Sequence, residues 1–147
     1  MNRKIVPVAV ALVAVLVPAA ATPAASAAPA AAGYVDTRVR GCAGKGPGCR
    51  PGVVVHHWHK RGASSRGVGW VYASREGVRS GTARWLVKTP GGSWKMGGGW
   101  KRAVSTGGSF VEAAWGRDGH TGPKYPRGTK ICAQFKGLST KACVTLK

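Results

Sequence analysis

Glycine and proline limit what this chain can fold into. Twenty-three glycines and nine prolines are spread along 147 residues, and no long stretch between them keeps a helical period. Glycine gives up the most backbone freedom in regular structure, and proline removes a donor and fixes φ, so both break long elements. The intervening runs are short and rich in Val, Trp, Tyr and Thr, which suit a pleated, half-buried surface. Candidate strands fall at residues 34–40, 53–60, 68–75, 82–88, 93–96 with 100–104, 109–117, 130–136 and 141–146. The dipeptides Trp94-Lys95 and Trp100-Lys101, partly separated by three glycines, read as the two arms of one hairpin. Seven to eight short strands in one domain predict an all-β fold, a small antiparallel β-sandwich or a barrel.

The first residues have a different character. Arg3 and Lys4 precede an apolar run from Ile5 to Val17, interrupted by Pro7, and Ala25-Ser26-Ala27 fits the small-x-small pattern of a cleavage site. The run is shorter than the roughly 20 apolar residues a spanning helix needs. The expected organisation is a signal peptide over 1–27, a flexible Ala/Pro leader over 28–32 and a single β domain over 33–147. This predicts a secreted, extracellular product with no transmembrane segment after processing. The Ala, Gly, Arg and Val bias is typical of a GC-rich bacterial genome.

Cleavage after Ala27 leaves 120 residues with 21 Lys and Arg against four acids (Asp36, Glu76, Glu112 and Asp118), a formal charge of +17. Small soluble domains usually carry a net charge of only about 2–8. The excess costs stability through self-repulsion and attracts polyanions.

The four cysteines all lie in this part of the chain. An even count in a short secreted chain implies disulfides. Proximity in sequence favours Cys42–Cys49 and Cys132–Cys143, each closure worth roughly 2.5–3 kcal/mol on the loop-entropy account. The spacings C-x6-C and C-x10-C do not match the usual zinc-ligand pairs.

The C-terminal hairpin is the clearest local pattern. Ile131, Ala133 and Phe135 alternate with Lys130, Cys132, Gln134 and Lys136, and Ala142, Val144 and Leu146 alternate with Lys141, Cys143, Thr145 and Lys147. One face is apolar and the other carries both cysteines and four lysines. If Cys132 faces Cys143, the register of the whole hairpin follows. A four-residue loop over 136–139 then puts the cysteines at a non-hydrogen-bonded pair, where strands are closest.

Several groups of residues invite a chemical reading. His57 and His59 share a strand face and could chelate a metal, but that face also carries Val53 and Val55, a core pattern, and His120 is far along the chain. No metal and no cofactor is expected. Glu112, Arg117, Asp118 and His120 combine acid, base and cation, as a small ribonuclease would require, yet Gly116 and Gly119 give the segment the character of a turn. The loop Cys42–Cys49 presents Lys45, as an inhibitor's binding loop would. Trp85 alternates with Ala83 and Val87 and reads as core, whereas Trp94 and Trp100 adjoin Lys95, Lys101 and Arg102. Aromatics interleaved with cations can stack on bases or sugars, or settle at a bilayer interface.

The sequence therefore predicts a secreted, strongly cationic, non-enzymatic binding protein. Its partners would be anionic polymers or a cell-envelope surface, with nucleic acid among the candidates, and an antimicrobial role is one version of this. The expected contact residues are Lys130, Lys136, Lys141, Lys147, Trp94, Lys95, Trp100 and Lys101. The competing readings are a small secreted nuclease-like enzyme and an inhibitor-like protein-binding module.

Overall fold

The computed structural model describes residues 33–44, 48–117 and 119–147. The expected leader over 1–32, the loop tip at Lys45 and Asp118 lie outside the described residues. Within them the fold is all-β, with nine strands and no helix: β1 Tyr34–Cys42, β2 Gly52–Lys60, β3 Ser65–Glu76, β4 Gly81–Lys88, β5 Lys95–Gly107, β6 Phe110–Gly116, β7 Lys124–Pro126, β8 Lys130–Phe135 and β9 Ala142–Thr145. All pairings are antiparallel and run in the order β1-β2-β3-β6-β5-β4-β8-β9, with β7 paired to β3. β7 is the strand the sequence pattern did not reveal; three residues are too few to show alternation.

The sheet is a nearly closed barrel rather than two separate layers. β5 links its two halves: residues near Lys95–Ala103 pair with β4, and Val104–Gly107 pair with β6. We call β1, β2, β3, β6 and β7 half A, and β4, β8 and β9 with the first part of β5 half B. At the remaining seam β1 lies against β9, where a Cβ on Gly41 would collide with the Cys143 carbonyl. Glycine there lets the two backbones approach.

The segment expected to be a hairpin around Gly97-Gly98-Gly99 is instead one continuous strand, β5. Its pairing with β4 shifts register on both sides of Trp85, and a side chain on Gly97 or Gly98 would overlap the Trp85 indole. The glycines thus make room for a core tryptophan beneath the strand and do not turn it. Trp85 is 5% exposed and belongs to the core as expected.

The core fills the barrel with the inward alternating positions: Val53 and Val55 from β2, Val71 and Ala73 from β3, Val111 and Ala113 from β6, Ile131 and Phe135 from β8, and Val144 with Leu146 from the C-terminal segment. Full burial of a side chain the size of Phe135 contributes about 2–3 kcal/mol. Both disulfides are formed as expected, Cys42–Cys49 and Cys132–Cys143. The C-terminal register is the one set by Cys132 opposite Cys143. Their Cα atoms are 4.1 Å apart, the short spacing of a non-hydrogen-bonded pair. The connection is longer than four residues, since β8 ends at Phe135 and β9 starts at Ala142.

Candidate functional site

Alternation sends every second residue of half B outward, and register fixes which of them are neighbours. Met96, Leu86, Cys132 and Cys143 form one row across β5, β4, β8 and β9. Leu86 is 7% exposed and Cys132 is fully buried although both leave the barrel outward, so this face has a thin apolar layer of its own. Three large side chains are exposed here, Met96 of the row itself at 62% and beside it Trp94 at 41% and Trp100 at 44%.

Cations surround these indoles. Lys141 Nζ lies 5.4 Å and Lys88 Nζ 5.9 Å from the Trp94 ring centroid, and the Arg84 guanidinium lies 4.6 Å from that of Trp100. Arg84 is fixed by donating from Nε and Nη2 to Gln134 Oε1, at 3.1 and 2.8 Å, while Gln134 Nε2 donates to the Leu138 carbonyl at 3.1 Å. Lys130 is the direct neighbour of Lys88, and both line a cleft of about 250 Å³ with Trp94, Pro90 and Gly128. No strand of half B contains a carboxylate; Asp36, Glu76 and Glu112 sit on β1, β3 and β6.

The structure therefore gathers Trp94, Trp100, Lys130 and Lys141 on one face and adds Lys88 and Arg84, which the sequence reading left out. Lys136 stands exposed in the β8–β9 connection and Lys147 exposed at the opposite end of that hairpin. Lys95 and Lys101 are placed differently. They pair with Val87 and Ala83, both core residues, so they leave β5 on the side away from Met96. Lys101 Nζ donates to the Ala114 carbonyl at 2.7 Å, across the gap between β5 and β6.

A second cluster lies outside half A, assembled from distant segments. Asp36 on β1 accepts from His56 Nε2 on β2 at 2.9 Å and from His120 Nε2 at 3.0 Å. The His120 ring stacks on Tyr34 at 4.1 Å between centroids and tilts against Trp58 at 5.1 Å. His56 stacks on Trp70, over which Arg38 also lies. Partial desolvation works against ionisation of Asp36, but hydrogen bonds from His120 and His56, and the charge these rings can carry, outweigh it and hold the carboxyl below its ordinary value. The arrangement fastens the β6–β7 loop to β1. Sequence reading missed it because Asp36 and His120 are 84 residues apart; the one local signal is the period-two spacing of Tyr34, Asp36 and Arg38.

His57 and His59 point the other way, toward the barrel interior beside Val53 and Val55. β2 is paired on both sides, by β1 and β3. His57 is 1% exposed, and neither of its ring nitrogens has a hydrogen-bond partner among the described residues. Burial lowers the affinity of His57 and of His59 for a proton, and Arg66 nearby lowers both further. Among the described residues no group of three or more His, Cys, Asp or Glu is disposed to hold a metal ion.

The residues of the nuclease reading go to different places. His120 binds Asp36, Arg117 lines a cavity at the β5–β6 gap, and Glu112 lines another cleft with Arg40 and Glu76 beside Cys42–Cys49. Comparison with known proteins finds no matching family model, no similar curated protein and no similar solved structure.

Proposed function

We propose that this chain is a secreted, cationic, non-enzymatic protein that binds anionic polymers or envelope surfaces on the outer face of half B. The observation that carries the reading is the exposure of Trp94 and Trp100 with cations held over their rings, on or beside strands that contain no carboxylate. Indoles left in water lose the hydrophobic gain of burial, and closely set cations repel one another. Both costs are recovered when an anionic chain with an apolar or ring surface covers the face. Polymer phosphates or carboxylates would meet Lys88, Lys130 and Lys141 as charge-assisted partners, with the indoles supplying contact area. Lys136 and Lys147 extend the charged surface toward the two ends of the hairpin.

The test is a salt titration against a single-stranded RNA, a polyphosphate-backbone wall polymer and anionic vesicles. Each phosphate neutralised releases condensed counterions, so for the RNA log K should fall by about 0.7 per contact per decade of salt. Changing Lys88, Lys130 and Lys141 together to Gln should lower affinity and flatten that slope by up to about 2 units. Changing Trp94 and Trp100 to Ala should lower affinity at nearly constant slope. Affinity that ignores salt and all five substitutions would refute the reading.

A further inference from the structure

β5 and β6 pair only at their Val104–Gly107 and Phe110–Glu112 ends. Beyond that point the strands diverge, and the gap leads into a cavity of about 320 Å³. Its apolar wall is made by the Trp85 and Trp115 side chains with Val68, Val71 and Pro123, and its rim carries Arg117 and Thr121. None of the described residues lining it is a carboxylate. Trp85 is nearly buried and Trp115 half-buried, whereas Arg117, Thr121 and Pro123 are exposed, so the cavity is a half-open cleft whose floor touches the core. Its volume lies at the small end of the range for ligand sites, suited to a metabolite-sized molecule. The lining follows the usual chemistry of such sites, a mostly aromatic and aliphatic wall with a few polar groups at one end.

We propose that this cavity binds a small planar aromatic anion, with its ring against Trp85 and Trp115 and its carboxylate or similar group at Arg117. Flat apolar walls favour a flat apolar ligand, because indole faces pack best against another ring. Arg117 is the only charged residue among the described residues of the lining, and the planar fork of a guanidinium matches a carboxylate. The rim loop is held in place from outside by the His120–Asp36 hydrogen bond at 3.0 Å. The site is separate from the outer face of half B and shares no residue with the cleft at Trp94.

The probes are naphthalene-2-carboxylate and its uncharged isostere naphthalene-2-carboxamide, titrated into the intact protein by calorimetry. The carboxylate should bind one to one and about tenfold more tightly than the amide, the scale of one charge-assisted hydrogen bond. Arg117→Gln should remove that tenfold difference and leave the amide's affinity unchanged. Thr121→Trp, an exposed rim position, should weaken both probes by blocking the mouth. The Lys88→Gln, Lys130→Gln, Lys141→Gln variant should bind both as the native protein does. An independent readout needs no variant: the indole N–H resonances of Trp85 and Trp115 should shift on titration while those of Trp94 and Trp100 stay put. The proposal is overturned by the absence of saturable binding, by shifts confined to Trp94 and Trp100, or by a loss of carboxylate affinity in the three-lysine variant equal to that in Arg117→Gln.

Discussion

Replacing His57 with leucine should stabilise this protein, and more so in acid. The imidazole is 1% exposed inside the barrel and lies between Thr37 of β1 and Val68 of β3 in register. A neutral imidazole has one N–H and one lone pair, and neither meets a partner among the described residues. Leaving a buried polar group unmet costs about 1–3 kcal/mol. Leucine has a similar volume and removes both groups, while its different shape costs under about 1.5 kcal/mol. With two unmet groups at about 1 kcal/mol or more each and the shape cost subtracted, the expected net gain at pH 8 is at least about 0.5 kcal/mol. Burial, then the charge of Arg66, lowers the pKa of His57 in the folded state below its ordinary 6.5. As pH falls below about 6.5 the unfolded chain takes up this proton before the folded chain does. The native protein thus loses stability from there down through the folded pKa, and His57→Leu does not share that loss. Guanidinium unfolding at pH 8 and pH 5, followed by tryptophan fluorescence, measures both effects, with an unchanged m-value as the check on two-state behaviour. If His57→Leu is less stable by more than about 1 kcal/mol at both pH values, the imidazole has a partner and the desolvation reasoning fails.

Changing Cys132 and Cys143 together to Ala should lower stability by about 2–4 kcal/mol, read as a lower guanidinium midpoint, because the disulfide links β8 to β9 beside the β1–β9 seam. Asp36→Asn should act mainly on the β6–β7 loop. Asp36 titrates below its ordinary value when folded, so its contribution is present at neutral pH and is lost as pH falls through that folded pKa. The carboxylate is half exposed, which limits the effect to under about 1 kcal/mol. Faster proteolysis of the loop around Arg117 at pH 7, with a difference from the native protein that shrinks as the pH is lowered into the acid range, would show it.

What the sequence disclosed, and what it withheld, follows from the range of the interactions. The C-terminal hairpin was legible to the register because both its strands alternate and a single cysteine pair sets every other partner. Trp85 was legible as core from Ala83 and Val87 alone. The continuity of β5 was not, because three successive glycines read locally as a turn; only the Trp85 ring, contributed by another strand, explains why they are extended. The opposite orientation of Lys95 and Lys101 from Trp94 and Trp100 follows from alternation alone, since each lysine directly follows its tryptophan in an extended segment. The Asp36–His56–His120 cluster depends on β1, β2 and the β6–β7 loop meeting in space. No local spacing encodes that.

The distribution of charge links stability to function. Both ion pairs among the described residues join a histidine to Asp36. The ordered cations are instead held by neutral groups: Arg84 by Gln134 and Trp100, Lys88 and Lys141 by Trp94, Lys101 by a carbonyl, and Arg66 in part by the carbonyls of Ala63 and Ser65. Such contacts orient a cation without neutralising it, and a cation–π contact at an exposed site is worth only about 0.5–1 kcal/mol. The field of half B is therefore left intact and ready for an external anion, where ion pairing with carboxylates would have cancelled it. Salt then has opposite effects on the two properties. It screens the self-repulsion of the folded domain and raises its stability, while it competes with counterion release and weakens polyanion binding. If affinity falls across the same salt range in which the unfolding midpoint rises, the loss of binding belongs to the charged face itself and not to loss of the fold.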